Sequence, residues 1–395
     1  AGITVPWECY QQYGDTILLS EHYDAMKRYI QYIIDNTIET ETNLIVQTRS
    51  WGDLCDWLGL EDEKNDKSLV WEAYFIYDLE LMAKMATVLG KATDAEWFRE
   101  LHAARKDFFN KTYIEPETGK TLFSAFVPEK KGSHIDIQTS YVLPLAFNII
   151  DEENRNKVIA NLAETVRREN TTDRGQQCPS YSLMTGFIGT SWINKALSDY
   201  GHSDLAYRLL QQTSYPSWLY SIEQGATTIW ERLNSYTRTD GFGGNNRMNS
   251  FNHYSFGAVG AWMYNYSLGI QRDETSPGFK QCVLKPMPDP TGKMTYARGY
   301  YDSMYGRIES GWKVESGVIR YTFTVPANTT ATLYLPAASL RDVREKTKPV
   351  RKCKGIEFIS EGNGEVVLKL LSGSYSFEVK KDYPLAARKR KKYVF

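Results

Sequence analysis

The sequence predicts a mainly α protein: a helical domain over residues 1–275, then a small antiparallel β-sandwich over residues 276–395. Three observations predict it. Apolar residues recur at helical spacing up to about residue 270, glycine repeatedly punctuates the helices, and after about Pro277 the pattern becomes a strict apolar–polar alternation. The stretch YDAMKRYIQYIID places Tyr23, Met26, Ile30 and Ile33/Ile34 on one stripe. SLVWEAYFIYDLELMAKMATVLG repeats the pattern through Val70, Ala73, Tyr77, Leu81 and Met85/Val88, with Gly90 as a C-terminal stop. Asp94 is then expected as the N-cap of a helix whose stripe is Trp97, Leu101, Ala104 and Phe108.

QQYGDTILLSEH, TVLGKATDAEWF and SDYGHSDLAYRLL share one punctuation, a helix ending at glycine and another starting at a nearby acid or serine. Each reads as the joint of an αα-hairpin, and the whole predicts nine or ten helices stacked as pairs. The longer loops between pairs, 49–67 and 168–180, are the natural places to build a site. In the second domain, GRIESGWKVESGVIRYTFTVPANTTATLYLP alternates with turn signals at Glu315-Ser316-Gly317 and Pro326-Ala327-Asn328, and GNGEVVLKLLSGSYSFEVK continues it.

Composition narrows the function classes. The net charge of −1 gives no broad footprint for nucleic acid or membrane surfaces, and no apolar run approaches a membrane span. The basic tail 387–395 reads as a solvated terminus. Five well-separated cysteines without CxxC spacing argue against a disulfide framework or a zinc site. The compartment stays open. With 10 Trp, 27 Tyr and 16 Phe, many in polar surroundings, the chain suits a carbohydrate partner, against the competing reading that these rings pack helical cores.

Without a phosphate loop, a serine elbow or metal-ligand spacing, the chemistry falls to carboxylates, and glycosidic hydrolysis by two carboxyl groups fits. Glu231, in TTIWERL, is the leading candidate, since a neighbouring indole raises a carboxyl's basicity while Arg232 lowers it. A surface glutamate paired with Arg232 is the competing reading, and Glu223 ranks lower because SIEQG reads as a turn. In WGDLCDWLG, Asp53 and Asp56 with Trp51 and Trp57 could grip sugar hydroxyls beside an aromatic wall, or simply cap a helix and pack. His253, at the head of a small apolar helix in RMNSFNHYSFGAVGAW, could bind a ligand or act as a cap.

Taken in order, MTGFIGTSWINKALSDYGHSDLAYRLL, YPSWLYSIEQGATTIWERL, MNSFNHYSFGAVGAWMY and VPANTTATLYLP resemble the bacterial α-L-rhamnosidases of glycoside hydrolase family 78 over nearly the whole chain. The resemblance implies an (α/α)6 toroid followed by a β-sandwich. It implies inverting hydrolysis of terminal, non-reducing α-L-rhamnose from glycosides or polysaccharides, with no cofactor and no metal. By position, Glu231 matches the general base and His253 a sugar-binding histidine. Asp56 and Trp57 match the GDW loop of the rhamnose pocket, with Cys55 where the family has Gly, and Trp51 and Asp53 stay as alternates.

The family's general acid lies in an upstream DERLGW-like motif, and no such stretch occurs here; DEK at Asp62 and DEEN at Asp151 lack the Arg and Gly-Trp. The expectation is therefore an incomplete toroid lacking its N-terminal helices, the C-terminal part of a longer enzyme. Such a piece is expected to show little or no turnover alone and to expose apolar barrel edge, so that it either self-associates, as a homo-oligomer, or is unstable. A non-catalytic carbohydrate-binding or structural module is the alternative reading. A third, an (α/α)6 glycosidase acting on uronic-acid oligosaccharides, has only Arg232, Arg238 and Arg247 to recommend it.

Overall fold

The computed structural model describes residues 1–47, 54–243, 248–315 and 317–380. These divide into two compact units, one of residues 1–8 and 16–259, the other of residues 9–15 and 260 onward.

The first unit is built from helices: α1 (Thr4–Tyr13, shared between the units), α2 (Ile17–Thr37), α3 (Lys67–Val88), α4 (Ala92–Tyr113), α5 (Gln138–Ala146), α6 (Glu152–Arg167), α7 (Phe187–Thr190), α8 (Ile193–Asp199), α9 (Ser203–Gln211) and α10 (Trp218–Glu223). A two-stranded ribbon, β1 (Asn170–Thr171) with β2 (Gln177–Cys178), interrupts them. Helices α3/α4, α5/α6 and α8/α9 pack as hairpins; α3, α5 and α8 lie side by side, and α6 meets α9 on the other layer. Burial separates the layers. In α5 every residue from Gln138 to Leu145 is buried, and α3 is buried nearly all round, whereas α6 buries one stripe through Val158, Leu162 and Val166. The glycine joints are as expected: Gly14, Gly90 and Gly201 all take left-handed backbone, at φ 72°, 71° and 85°.

Two details differ from the expected pattern. Asp94 lies inside the first turn of α4 rather than at its cap, where it takes the Tyr23 hydroxyl at 2.9 Å and the Lys27 ammonium at 2.7 Å. The buried stripe of α4 runs through Ala95, Phe98, Arg105 and Phe109, one residue out of phase with the expected one. Arg105 explains the shift. It is buried against Glu72 of α3, so a charged residue occupies the core face, and a search for apolar periodicity slides past it.

Short turns (89–91, 147–151, 200–202) link the two helices of each hairpin, and long segments (38–66, 114–137, 168–186) lead from one hairpin into the next inner helix. These three long segments therefore enter at the N-terminal ends of the inner helices, apart from the segment after α10 that carries Glu231. That end carries the site.

The second unit is a sandwich of two sheets. Its strands are β3 (Ile270–Arg272), β4 (Gln281–Leu284), β5 (Tyr296–Ser303), β6 (Gly306–Glu315), β7 (Val318–Val325), β8 (Thr330–Leu335), β9 (Val343–Glu345), β10 (Lys348–Pro349), β11 (Ile356–Gly362), β12 (Glu365–Leu370) and β13 (Gly373–Lys380). The sheet orders are β10-β9-β13-β7-β6-β5 and β11-β12-β8-β4-β3. Inward residues such as Ile308, Trp312, Tyr321, Phe323, Leu333, Leu368 and Phe377 form the core, matching the alternation. The expected antiparallel pairing holds except between β4 and β8, which run parallel. The reason is topological: β5, β6 and β7 lie in the opposite sheet, so the chain crosses over before returning beside β4. Strand β3 was too short to register as an alternation.

Candidate active site

Glu231 follows the buried Trp230 in the long segment after α10 and is itself 8% exposed. A pair of backbone bonds holds this segment to the next one: Glu231 N–H donates to the Ser250 carbonyl at 2.8 Å, and His253 N–H donates to the Ile229 carbonyl at 2.9 Å. The Ser250 N–H donates to Glu231 Oε2 at 2.8 Å. Among the described residues Oε1 accepts no hydrogen bond, and no ion pair joins Glu231 to Arg232. The Arg232 side chain turns instead to the Met248 carbonyl, 3.1 Å from its Nε. One carboxylate oxygen is thus anchored and the other left for a partner. Glu223, the second-ranked carboxylate, is exposed at the last residue of α10.

Trp57 lines a cavity of about 430 Å³ with Tyr215 and Phe256 as further aromatic walls. Arg232, Arg174, Asp62, Glu63 and Asp173 bring charges of both signs to the same space. Burial raises the carboxyls of Asp62 and Asp173 above their ordinary range. Backbone donors nevertheless keep them engaged: Asp56 N–H donates to Asp62 at 2.9 Å, and Glu63 N–H to Asp173 at 2.9 Å. These bonds tie the Trp57 loop to the 172–176 turn, so both loops expected to build a site do face one cavity.

His253 is half-buried, its ring stacked on Phe187 at 4.7 Å and on Tyr254 at 5.4 Å. Its Nδ1 accepts the Ser255 N–H at 3.3 Å, which leaves the proton on Nε2 and makes that nitrogen the donor toward a ligand. Phe187 also meets Phe256 edge-on at 5.3 Å, and its N–H donates to the Trp57 carbonyl at 2.9 Å. Phe187 thus links the backbone of the Trp57 loop to the His253 ring, although neither His253 nor Glu231 is among the residues lining the cavity.

Asp56 sits differently from the sugar-gripping position expected of it. Its side chain is buried (2% exposed) and turned into the protein, where Oδ1 accepts the N–H groups of Ile188 and Gly189, each at 2.9 Å. Oδ2 accepts the Gly186 N–H at 2.8 Å and the Thr139 hydroxyl. The four donors account for the four lone-pair positions of a carboxylate. Trp51 and Asp53, the alternates for this role, lie outside the described residues, as does Arg247. The sequence reading did not single out Phe187, Thr139 or Ser250. The glycines flanking Phe187 in TGFIGT were the available signal, since glycine three residues from glycine at a helix start marks close backbone approach.

The model of the bacterial α-L-rhamnosidase six-hairpin glycosidase domain matches residues 1–267, and that of the bacterial α-L-rhamnosidase C-terminal domain matches residues 269–349. The chain belongs to the bacterial α-L-rhamnosidase family. It is 34% identical to an α-L-rhamnosidase of Streptomyces avermitilis over 96% of this chain and 32% of that one, and 31% identical to one of Formosa agariphila over 95% and 38%. Among solved structures, the S. avermitilis enzyme complexed with L-rhamnose superposes with a TM-score of 0.80 at 33% identity, covering 96% of this chain and 32% of that one. The α-L-rhamnosidase of Dictyoglomus thermophilum gives 0.78 at 29% identity, covering 96% and 39%. The chain spans about a third of the length of these relatives. A helical six-hairpin domain thus precedes a β-sandwich in this chain, and no helix among the described residues is long and apolar enough to cross a membrane.

Proposed function

We propose that the chain is the barrel and C-terminal sandwich of an enzyme that hydrolyses terminal, non-reducing α-L-rhamnosides with inversion, and that Glu231 is its general base. The observation that carries the base is the asymmetric seat of Glu231, with Oε2 fixed by the Ser250 N–H and Oε1 unengaged among the described residues. A base that activates water needs this combination of a fixed orientation and one oxygen open to the water's proton. In the reaction, a water oxygen bonds to the anomeric carbon from the face opposite the leaving group while Oε1 takes its proton. The glycosidic C–O bond breaks, and the departing oxygen takes a proton from an acid on the other face. His253 Nε2 supplies a hydrogen-bond donor to the sugar, and Trp57 supplies an aromatic wall.

The uronic-acid reading gains little support, because three carboxylates share the cavity with Arg174 and Arg232. In the intact enzyme, Glu231→Ala is expected to slow aryl α-L-rhamnoside turnover by about 10²–10⁴-fold while L-rhamnose binding measured by calorimetry persists. NMR of the first-formed sugar should show the β anomer. Undiminished turnover in the variant would move the role elsewhere, with Glu223 the next carboxylate to test, and an α product would sink inversion.

A further inference from the structure

We infer that Asp56 is a positioning residue: its buried carboxylate latches the Trp57 loop to the segment carrying Phe187, fixing as one piece the Trp57 wall of the proposed sugar pocket and the ring that backs its Phe256 wall. The inference rests on the rhamnosidase reading for its kinetic consequence, but its structural content stands apart from it.

The carboxylate bridges three stretches that are distant in sequence. Asp56 opens the Trp57 loop, Thr139 belongs to the buried helix α5, and Gly186, Ile188 and Gly189 surround Phe187 at the start of α7. The Phe187 N–H returns the contact by donating to the Trp57 carbonyl at 2.9 Å. The backbones approach so closely that glycine is required at the junction. A Cβ on Gly186 would lie 2.3 Å from the carbonyl oxygens of both Asp56 and Trp57, and one on Gly189 would lie 2.7 Å from Thr139 Oγ1. One on Gly59 would stand 2.8 Å from the Asp56 carbonyl. A packed side chain could hold the two segments together, but only directed acceptors on a rigid carboxylate also fix their register.

What the junction holds in place is the pocket wall. Trp57 lines the cavity directly, and Phe187 bears on both Phe256, another lining ring, and the His253 imidazole. Glu231 is held from elsewhere, by Ser250. Loosening the latch should therefore disturb sugar binding and leave the base in place. Contacts made equally in the ground and transition states affect KM and spare kcat.

The test compares wild type, Asp56→Asn and the milder Thr139→Val in the intact enzyme, with hydrogen exchange followed in peptides 54–60 and 185–190. Thr139→Val keeps a folded protein in hand should Asp56→Asn fail to fold. The expected result is faster exchange in both peptides, and KM for an aryl α-L-rhamnoside raised about tenfold in Asp56→Asn with kcat within about twofold of wild type. Combining Asp56→Asn with Trp57→Phe should raise KM no further than the larger single effect, because both act through one wall. Unchanged exchange in peptide 185–190 overturns the latch. So does a KM effect that adds fully to that of Trp57→Phe, or a loss of kcat with KM unmoved. Should the wild type fail to hydrolyse rhamnosides, the functional reading falls, while the exchange data still decide whether the latch exists.

Discussion

Asp56 brings a negative charge into a setting where no cation balances it: among the described residues it makes no ion pair, and the charge it feels from Asp62 is repulsive. Burial pushes its carboxyl up to about 6, while the Thr139 hydroxyl and the Gly189 and Gly186 N–H groups pull the other way. The sign of the resulting pH dependence follows. A carboxyl whose folded pKa lies above its unfolded value contributes stability that is fully present below the unfolded value near 3.8, and this is lost as pH rises through about 6. From pH 4 to pH 7 the stability advantage of wild type over Asp56→Asn should therefore shrink, by about 2–3 kcal/mol. Urea unfolding at pH 4, 5.5 and 7 measures it, and parallel pH profiles for the two proteins would show that Asp56 does not titrate in this way. Adjacency in sequence, by contrast, misleads at Glu231. A glutamate next to an arginine suggests an ion pair, yet Arg232 bonds the Met248 carbonyl, and the glutamate is fixed by Ser250, nineteen positions away. No local pattern encodes that choice.

Among the elements, α2 and α4 show what periodicity can and cannot reveal. The stripe of α2 was legible because its buried residues are all apolar (Leu19, Tyr23, Met26, Ile30 and Ile33). The stripe of α4 was misphased because Arg105 lies on it, donating from Nε to Glu72 Oε1 at 2.8 Å and from its terminal nitrogens to Asn43. Burial raises the Glu72 carboxyl and Arg105 opposes that rise, so each residue depends on the other. Arg105→Ala would strand a buried carboxylate and should destabilise the helical unit by about 3–5 kcal/mol. Replacing both partners with leucine should recover most of that loss, as seen in the denaturation midpoint. A double variant as unstable as the single would mean that the packing of Arg105 against Phe108, 4.6 Å from its ring centroid, matters more than the charge pair. The loops were legible as places for a site because their length and polar, aromatic composition set them apart. Their internal bonding was not, since the groups that donate to the Asp56 carboxylate lie more than eighty residues downstream.

Across the whole molecule, the two-part order of helices then strands could be read from the change in period, but one long-range feature could not. The compact unit that contains the sandwich also claims residues 9–15, from the opposite end of the sequence. Gln12 donates to the Tyr301 hydroxyl on β5, and Gly14 lies against Pro277, where a Cβ would stand 3.4 Å from its carbonyl oxygen. Gly278 completes the contact from the other side, with a Cβ position 3.2 Å from the Tyr13 carbonyl. Both glycines hold left-handed backbone, at φ 72° and 85°, so this joint doubles as a helix stop and as a packing surface for the sandwich unit. A residue with a Cβ at φ near 72° costs about 1–2 kcal/mol, so Gly14→Ala should destabilise this unit by roughly that amount. Deleting residues 1–15 should cost more, because it also removes the Gln12 contact. Hydrogen exchange resolved by peptide separates the effect from a general loss of stability. Protection should fall in the peptides covering β3, β4 and β5, with α5 and α6 little changed in Gly14→Ala. Equal protection in the β3–β5 peptides of wild type and the deletion variant would show that the sandwich stands without its N-terminal segment.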